Sequence, residues 1–177
     1  RQATTQIQLT QIMKQYVVFW QAGEHLFNLT KKPMIYGIMK ITPDSIYDGG
    51  QYKTKDDVLN HVDAMLQAGA DVIEVNGQTT RPGFTEVTPQ VELDRTLPYI
   101  RAMKARFPEA GLAVDTYKYD VMQAVLEEGV SIINDVNAFT DDHRKLKLMA
   151  DSRVGLLTMH SSRDQEYTDL KSSMRGV

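Results

Sequence analysis

Two stretches, "GIMKITPDSIYDGG" at residues 37–50 and "NGQTTRPG" at residues 76–83, each run out of a short apolar segment into a polar loop closed by glycine. The first carries Lys40, Asp44, Ser45 and Asp48; the second carries Thr79, Thr80 and Arg81. A guanidinium is a planar fork of donors suited to phosphate or carboxylate. Pro82-Gly83 fixes the turn that presents Arg81, with two threonine hydroxyls beside it. Further along, Asp115 can accept N–H donors, and the Asn134 carboxamide can both give and take. Each residue has a competing structural role. Arg81 could form a surface ion pair, Asp115 could cap a following helix, and Asn134-Asp135 could be a strand-end turn.

The elements that must position these residues alternate. Residues 1–15 are polar and rich in Gln and Thr, which predicts an arm or linker ahead of one domain at 16–177. "VVFW", a turn at 21–24 and "HLFNLT" predict a β-hairpin. Strand patterns follow at 34–39, 72–75, 112–115, 131–135 and 154–160. Helical patterns lie between them. One starts at Thr54, one at Thr88-Pro89, one runs over 117–129, and one lies within 141–150. Strand starts fall roughly 20 to 40 residues apart, the spacing of βαβ units. A parallel sheet covered by helices is the expected class. An open doubly wound sheet brings only its switch-point strands to a crevice. A (β/α)8 barrel brings every C-terminal strand end to one mouth. Polar residues stand after all five strands, so the barrel is the expected architecture.

Composition excludes several classes. The 177 residues are 42% hydrophobic and 24% charged, enough for one good core. A net charge of −3 gives no basic nucleic-acid surface. The absence of cysteine removes disulfides and thiolate metal sites and points to a reducing cytoplasm. No apolar run approaches the ~18 residues of a membrane span, and no signal-peptide pattern opens the chain. It begins at Arg1, so the natural N-terminus is expected elsewhere.

"GIMKITPDSIYDGG", "GADVIEVNGQTTRPG", "AVDTYK" and "GVSIINDV" together resemble the successive strand-end motifs of the dihydropteroate synthase family, over about Pro33 to His160. The resemblance implies a (β/α)8 barrel represented by about its first five βα units. It implies the condensation of 6-hydroxymethyl-7,8-dihydropterin pyrophosphate with 4-aminobenzoate, giving dihydropteroate and pyrophosphate. Asp115 and Asn134 match the family's pterin-binding residues, suiting the ring's 2-amino-4-oxo-pyrimidine edge, and Met159 could lie under the ring plane. Thr80, Arg81 and Pro82 match the aminobenzoate loop, with Asp48, Arg81 and Thr80 as catalytic candidates. Asp48 is the implied ligand of Mg2+, and Lys40 the candidate partner of pyrophosphate. The expected partners are these small molecules, with a homodimer left open.

The chain departs from the family pattern in three ways. Lys40 stands where the family usually has Asn, and Asn76 and Gln78 where it tends to have Gly and Glu. A complete barrel takes about 250 residues, and the family's last three strand motifs have no counterpart here. A fragment of a longer protein is the favoured explanation. The alternatives are a non-catalytic pterin-binding relative and a pterin-dependent methyltransferase. The TTRPG loop argues against the latter.

Overall fold

The computed structural model describes residues 17–43, 47–48, 51–79 and 83–159, with the backbone alone at 47, 48, 51 and 52. The expected arm at 1–15 lies outside the described residues. A hairpin comes first. Strands β1 (Phe19–Ala22) and β2 (His25–Asn28) pair antiparallel, with Ala22 opposite His25. The turn is therefore two residues, Gly23-Glu24, rather than the four that the sequence suggests. Gly23 has a φ of +56°, the left-handed conformation that such short turns demand.

Five parallel strands follow: β3 (Tyr36–Lys40), β6 (Val72–Asn76), β7 (Gly111–Asp115), β8 (Ile132–Asp135) and β9 (Gly155–Thr158). Helices α1 (Lys55–Gln67), α2 (Pro89–Arg106), α3 (Tyr119–Glu127) and α4 (His143–Ser152) connect them. The helix starts are legible in the residues. Thr54 and Asp57 form a reciprocal capping box, and Thr88 caps a helix whose first residue is Pro89. Neighbours in the sheet are neighbours in the chain, in the order β3-β6-β7-β8-β9. A doubly wound sheet reverses its order at the switch point, and a barrel never does. The sequential order thus selects the barrel arrangement on grounds independent of polarity.

One element was not foreseen. β4 (Tyr47–Asp48) and β5 (Gln51–Tyr52) pair antiparallel within the stretch read as loop. Gly49-Gly50, between them in sequence, is the residue type that two-residue hairpin connections take.

Side-chain alternation divides the sheet into two faces. Met39, Ile73, Val75, Leu112, Val114 and Ile133 pack against the buried stripes of the helices, among them Val62, Ile100, Met103, Val125 and Met149. The opposite, inner face carries Val72, Ala113 and Ile132 near the N-terminal strand ends, packed against Trp20, Ala22 and Phe27 of the hairpin. The hairpin is therefore the barrel floor. Two glycines admit it, since a Cβ at Gly155 would lie 2.4 Å from the Trp20 ring and one at Gly111 3.0 Å from Phe27. His25 Nδ1 and Ser131 Oγ, 2.8 Å apart, tie the hairpin to the residue before β8. Among the described residues no helix is long and apolar enough to cross a membrane.

Candidate active site at the C-terminal strand ends

On the inner face, at the ends opposite the hairpin, register aligns Lys40, Asn76, Asp115 and Asn134 across four adjacent strands. Three sequence-predicted residues, Lys40, Asp115 and Asn134, are thus brought into one row. Asp115 does not cap the next helix; Lys118 occupies that position, without a side-chain cap bond. Asn134 and Asp135, adjacent in sequence, part company. Asp135 is fully buried and accepts from Lys145 Nζ and from the backbone N–H groups of Asn137 and Phe139. It organises the loop after β8, whereas Asn134 faces the mouth. Met159 follows β9 and is 41% exposed, so it is not part of the core.

Thr80, Arg81, Pro82, Asp44, Ser45 and His160 lie outside the described residues, and Asp48 is described only by its backbone in β4. Among the described residues no cluster of three or more His, Cys, Asp or Glu could hold a metal ion. The row ends at Lys40 of β3.

Two inner-face residues have no site role in the sequence reading: Glu74, which it passes over, and Asn76, which it notes only as a departure from the family pattern. Glu74 sits mid-strand in β6, buried, and accepts from Asn134 Nδ2 at 3.2 Å. Asn76 donates to Asp115 Oδ2 at 2.9 Å and accepts from the Gln78 backbone N–H. The available signal was a carboxyl group and an amide alternating inside a strand buried along its whole length. Asp115 Oδ1 is buried without a partner among the described residues. Burial and the negative charges of Glu74, Glu92 and Asp135 push the Asp115 carboxyl up to about 7, with Lys40 opposing them. Burial also raises Glu74, against its bond from Asn134. The Tyr36 phenol, deeper on the same face, is raised to about 12 by burial and by Glu74.

The loop carrying Thr80–Pro82 is fastened at both ends. Gln78 Oε1 accepts from Val87 N–H at 2.8 Å and from Lys118 Nζ at 2.7 Å, while its Nε2 donates to the Tyr117 hydroxyl. That hydroxyl donates to Glu86, and Lys118 also pairs with Glu92 at 2.6 Å, both side chains nearly buried. Arg95 donates to the Gly77 carbonyl, and a Cβ at Gly77 would lie 2.6 Å from Thr96. None of these partners was legible as a set, because they come from three separate elements.

A profile of the family described as pterin binding enzyme matches residues 36–176. The chain belongs to that family. Its relatives include dihydropteroate synthases of Streptococcus pyogenes, 40% identical over 77% of this chain and 51% of the relative, and of Clostridium beijerinckii, 37% identical over 84% and 55%. The chain thus spans about half the length of the curated relatives it matches. Among solved structures, dihydropteroate synthase of Xanthomonas albilineans with 4-aminobenzoic acid superposes with a TM-score of 0.80, at 33% identity, over 91% of this chain and 58% of that one. The pterin-binding enzyme family therefore accounts for the strand-end motifs, their order and the barrel arrangement together.

Proposed function

We propose that this chain carries the pterin-facing part of a dihydropteroate synthase site. The reaction joins 6-hydroxymethyl-7,8-dihydropterin pyrophosphate to 4-aminobenzoate. The bond from the pterin methylene to pyrophosphate oxygen breaks, a bond to the amine nitrogen forms, and the amine gives up a proton. The observation that carries the reading is the in-register pair Asp115 and Asn134, with Asp115 Oδ1 buried and without a partner among the described residues. An unpaired buried acceptor costs about 1–3 kcal/mol, a cost that a ring N–H donor would remove. Asp115 and the Asn134 carbonyl oxygen accept from the ring, and Met159 offers an apolar surface to the ring plane.

Lys40, at the end of the row, pairs with the departing anion. Thr80, Arg81 and Pro82 close over the aminobenzoate, excluding water once the loop is down. The fastening of Gln78 and Val87 supports that role by holding both ends of their loop. Asp48 is the candidate magnesium ligand, and the metal would neutralise pyrophosphate charge. A cytoplasmic enzyme acting on small molecules follows from this reading. One observation favours a second reading, a non-catalytic pterin binder: Lys40 stands in the row at the position where the family usually has Asn.

Calorimetry with a pterin ligand tests the site. Asp115→Ala and Asn134→Ala are each expected to weaken binding by about 1–3 kcal/mol. Arg81→Ala should damage turnover and aminobenzoate binding while sparing pterin affinity. Unchanged pterin affinity in both pocket variants would place the pocket elsewhere. Intact pocket binding without turnover in the whole protein would select the second reading.

A further inference from the structure

Glu74 is an inner-face residue to which the proposed reaction gives no role. It lies two residues below the mouth row on the same face, level with Ile38, Ala113 and Ile132. Only 6% of it is exposed, in a strand whose other residues are buried too. A carboxylate at that depth is costly unless hydrogen-bonded, and its bond comes from Asn134 Nδ2. Since a carboxylate can only accept, this bond fixes the Asn134 amide. The NH2 end turns toward Glu74 and the carbonyl oxygen is left for a ligand donor.

Asn76 imposes a matching order on the neighbouring strand. The Gln78 backbone N–H occupies its oxygen, so its NH2 end meets Asp115 Oδ2, and Oδ1 has no partner among the described residues. The mouth row thus presents two bare acceptors side by side, one from a carboxyl group and one from an amide.

We propose that Glu74 is a positioning residue for a pterin ring, fixing which end of the Asn134 amide meets the ring and opposing the negative charge of Asp115 with its own. This rests on the reading of the site given above. The charged groups acting on Asp115 come from every element around it. Glu74 on β6, Glu92 on α2 and Asp135 on β8 all disfavour its ionisation, and Lys40 on β3 favours it. Of the three acids, Glu92 is committed to Lys118 and Asp135 to Lys145. Glu74 has no cationic partner among the described residues, and the only hydrogen bond to it is the neutral one from Asn134. Its charge is therefore the least compensated one that Asp115 meets. Ring N–H donors favour the ionised carboxylate, so ring binding near neutral pH releases the Asp115 proton to solvent.

Two measurements on the same proteins test this. Carbon-13 NMR of the carboxyl groups in ligand-free protein follows the Asp115 titration, and calorimetry follows pteroic acid affinity between pH 5.5 and 8.5. In Glu74→Gln the Asp115 midpoint is expected to fall by about one pH unit, as for loss of a neighbouring like charge. The rise of affinity with pH should move down with it. Plateau affinity should drop several-fold, because glutamine can both give and take and no longer fixes the Asn134 amide. Glu74→Asp keeps the charge but shortens the reach. Its midpoint should stay near the parent value while the plateau still drops. A merely structural role would lower stability in both variants and leave the midpoint in place. An unmoved midpoint together with an unmoved plateau in a folded Glu74→Gln protein overturns the inference alone. If the unmodified chain binds no pteroic acid at any pH, the proposed function falls and the inference with it.

Discussion

Burial and the carboxylates around it push the Asp115 carboxyl up to about 7, against an ordinary value of 3.8. The folded chain therefore holds this proton more tightly than the unfolded one. Below pH ~4 both states are protonated at Asp115 and folding loses nothing. As pH rises from ~4 to ~7, the unfolded chain releases a proton that the folded chain keeps, and stability falls. Above ~7 the loss is complete, at most about 4 kcal/mol. Asp115→Asn keeps the shape and removes the titration. We expect the variant to be more stable than the parent by about 2–4 kcal/mol at pH 8 and nearly equal to it at pH 4. Urea unfolding at the two pH values measures this. An equal difference at both would assign the effect to packing. A site residue that costs stability is the usual mark of function. Glu74 escaped the sequence for a related reason. A short apolar run around one acid reads as a strand, and nothing local says whether that acid faces solvent or the barrel interior.

The helices and strands were legible wherever a cap or a period-two apolar run marked them. Thr54, Thr88-Pro89 and Gly129 each stand where the structure starts or ends a helix. The pair β4–β5 was not legible, because two-residue strands are too short to show a period. The fastening of the loop after β6 was not legible either, since Lys118 meets Gln78 across 40 residues and Glu92 across 26. That buried pair should behave as a unit. Lys118→Met leaves the Glu92 charge unpaired and is expected to cost about 3–5 kcal/mol. Adding Glu92→Leu, which replaces the remaining charge with an apolar group, should recover most of the loss. Chemical unfolding of both single variants and the double variant checks the coupling; additive losses would show that the two side chains act separately. Because Lys118, in the loop after β7, holds both Gln78 and Glu92 of α2, the same variants should weaken aminobenzoate binding more than pterin binding.

Across the whole molecule, labour is divided along the strands. The hairpin closes one end of the inner face with Trp20, Ala22 and Phe27, and the polar row of Lys40, Asn76, Asp115 and Asn134 occupies the other. Substitutions in the floor should therefore change stability while leaving pterin affinity alone, since distant sites add independently. Gly155→Ala would drive a Cβ to 2.4 Å from the Trp20 ring. A loss of about 1–3 kcal/mol is expected, read as a lower urea midpoint with unchanged calorimetric affinity; a fall in pterin affinity would show that floor and mouth are coupled. Trp20 is also the only tryptophan in the sequence. The indole emission of the chain is consequently a private signal of the floor, blind to the mouth. Followed beside far-UV circular dichroism, which reports all the helices, it becomes an optical clock for the hairpin. If the emission shifts red at lower urea than the dichroism fades, the floor departs while the sheet still stands; superimposed curves would make floor and sheet one cooperative body.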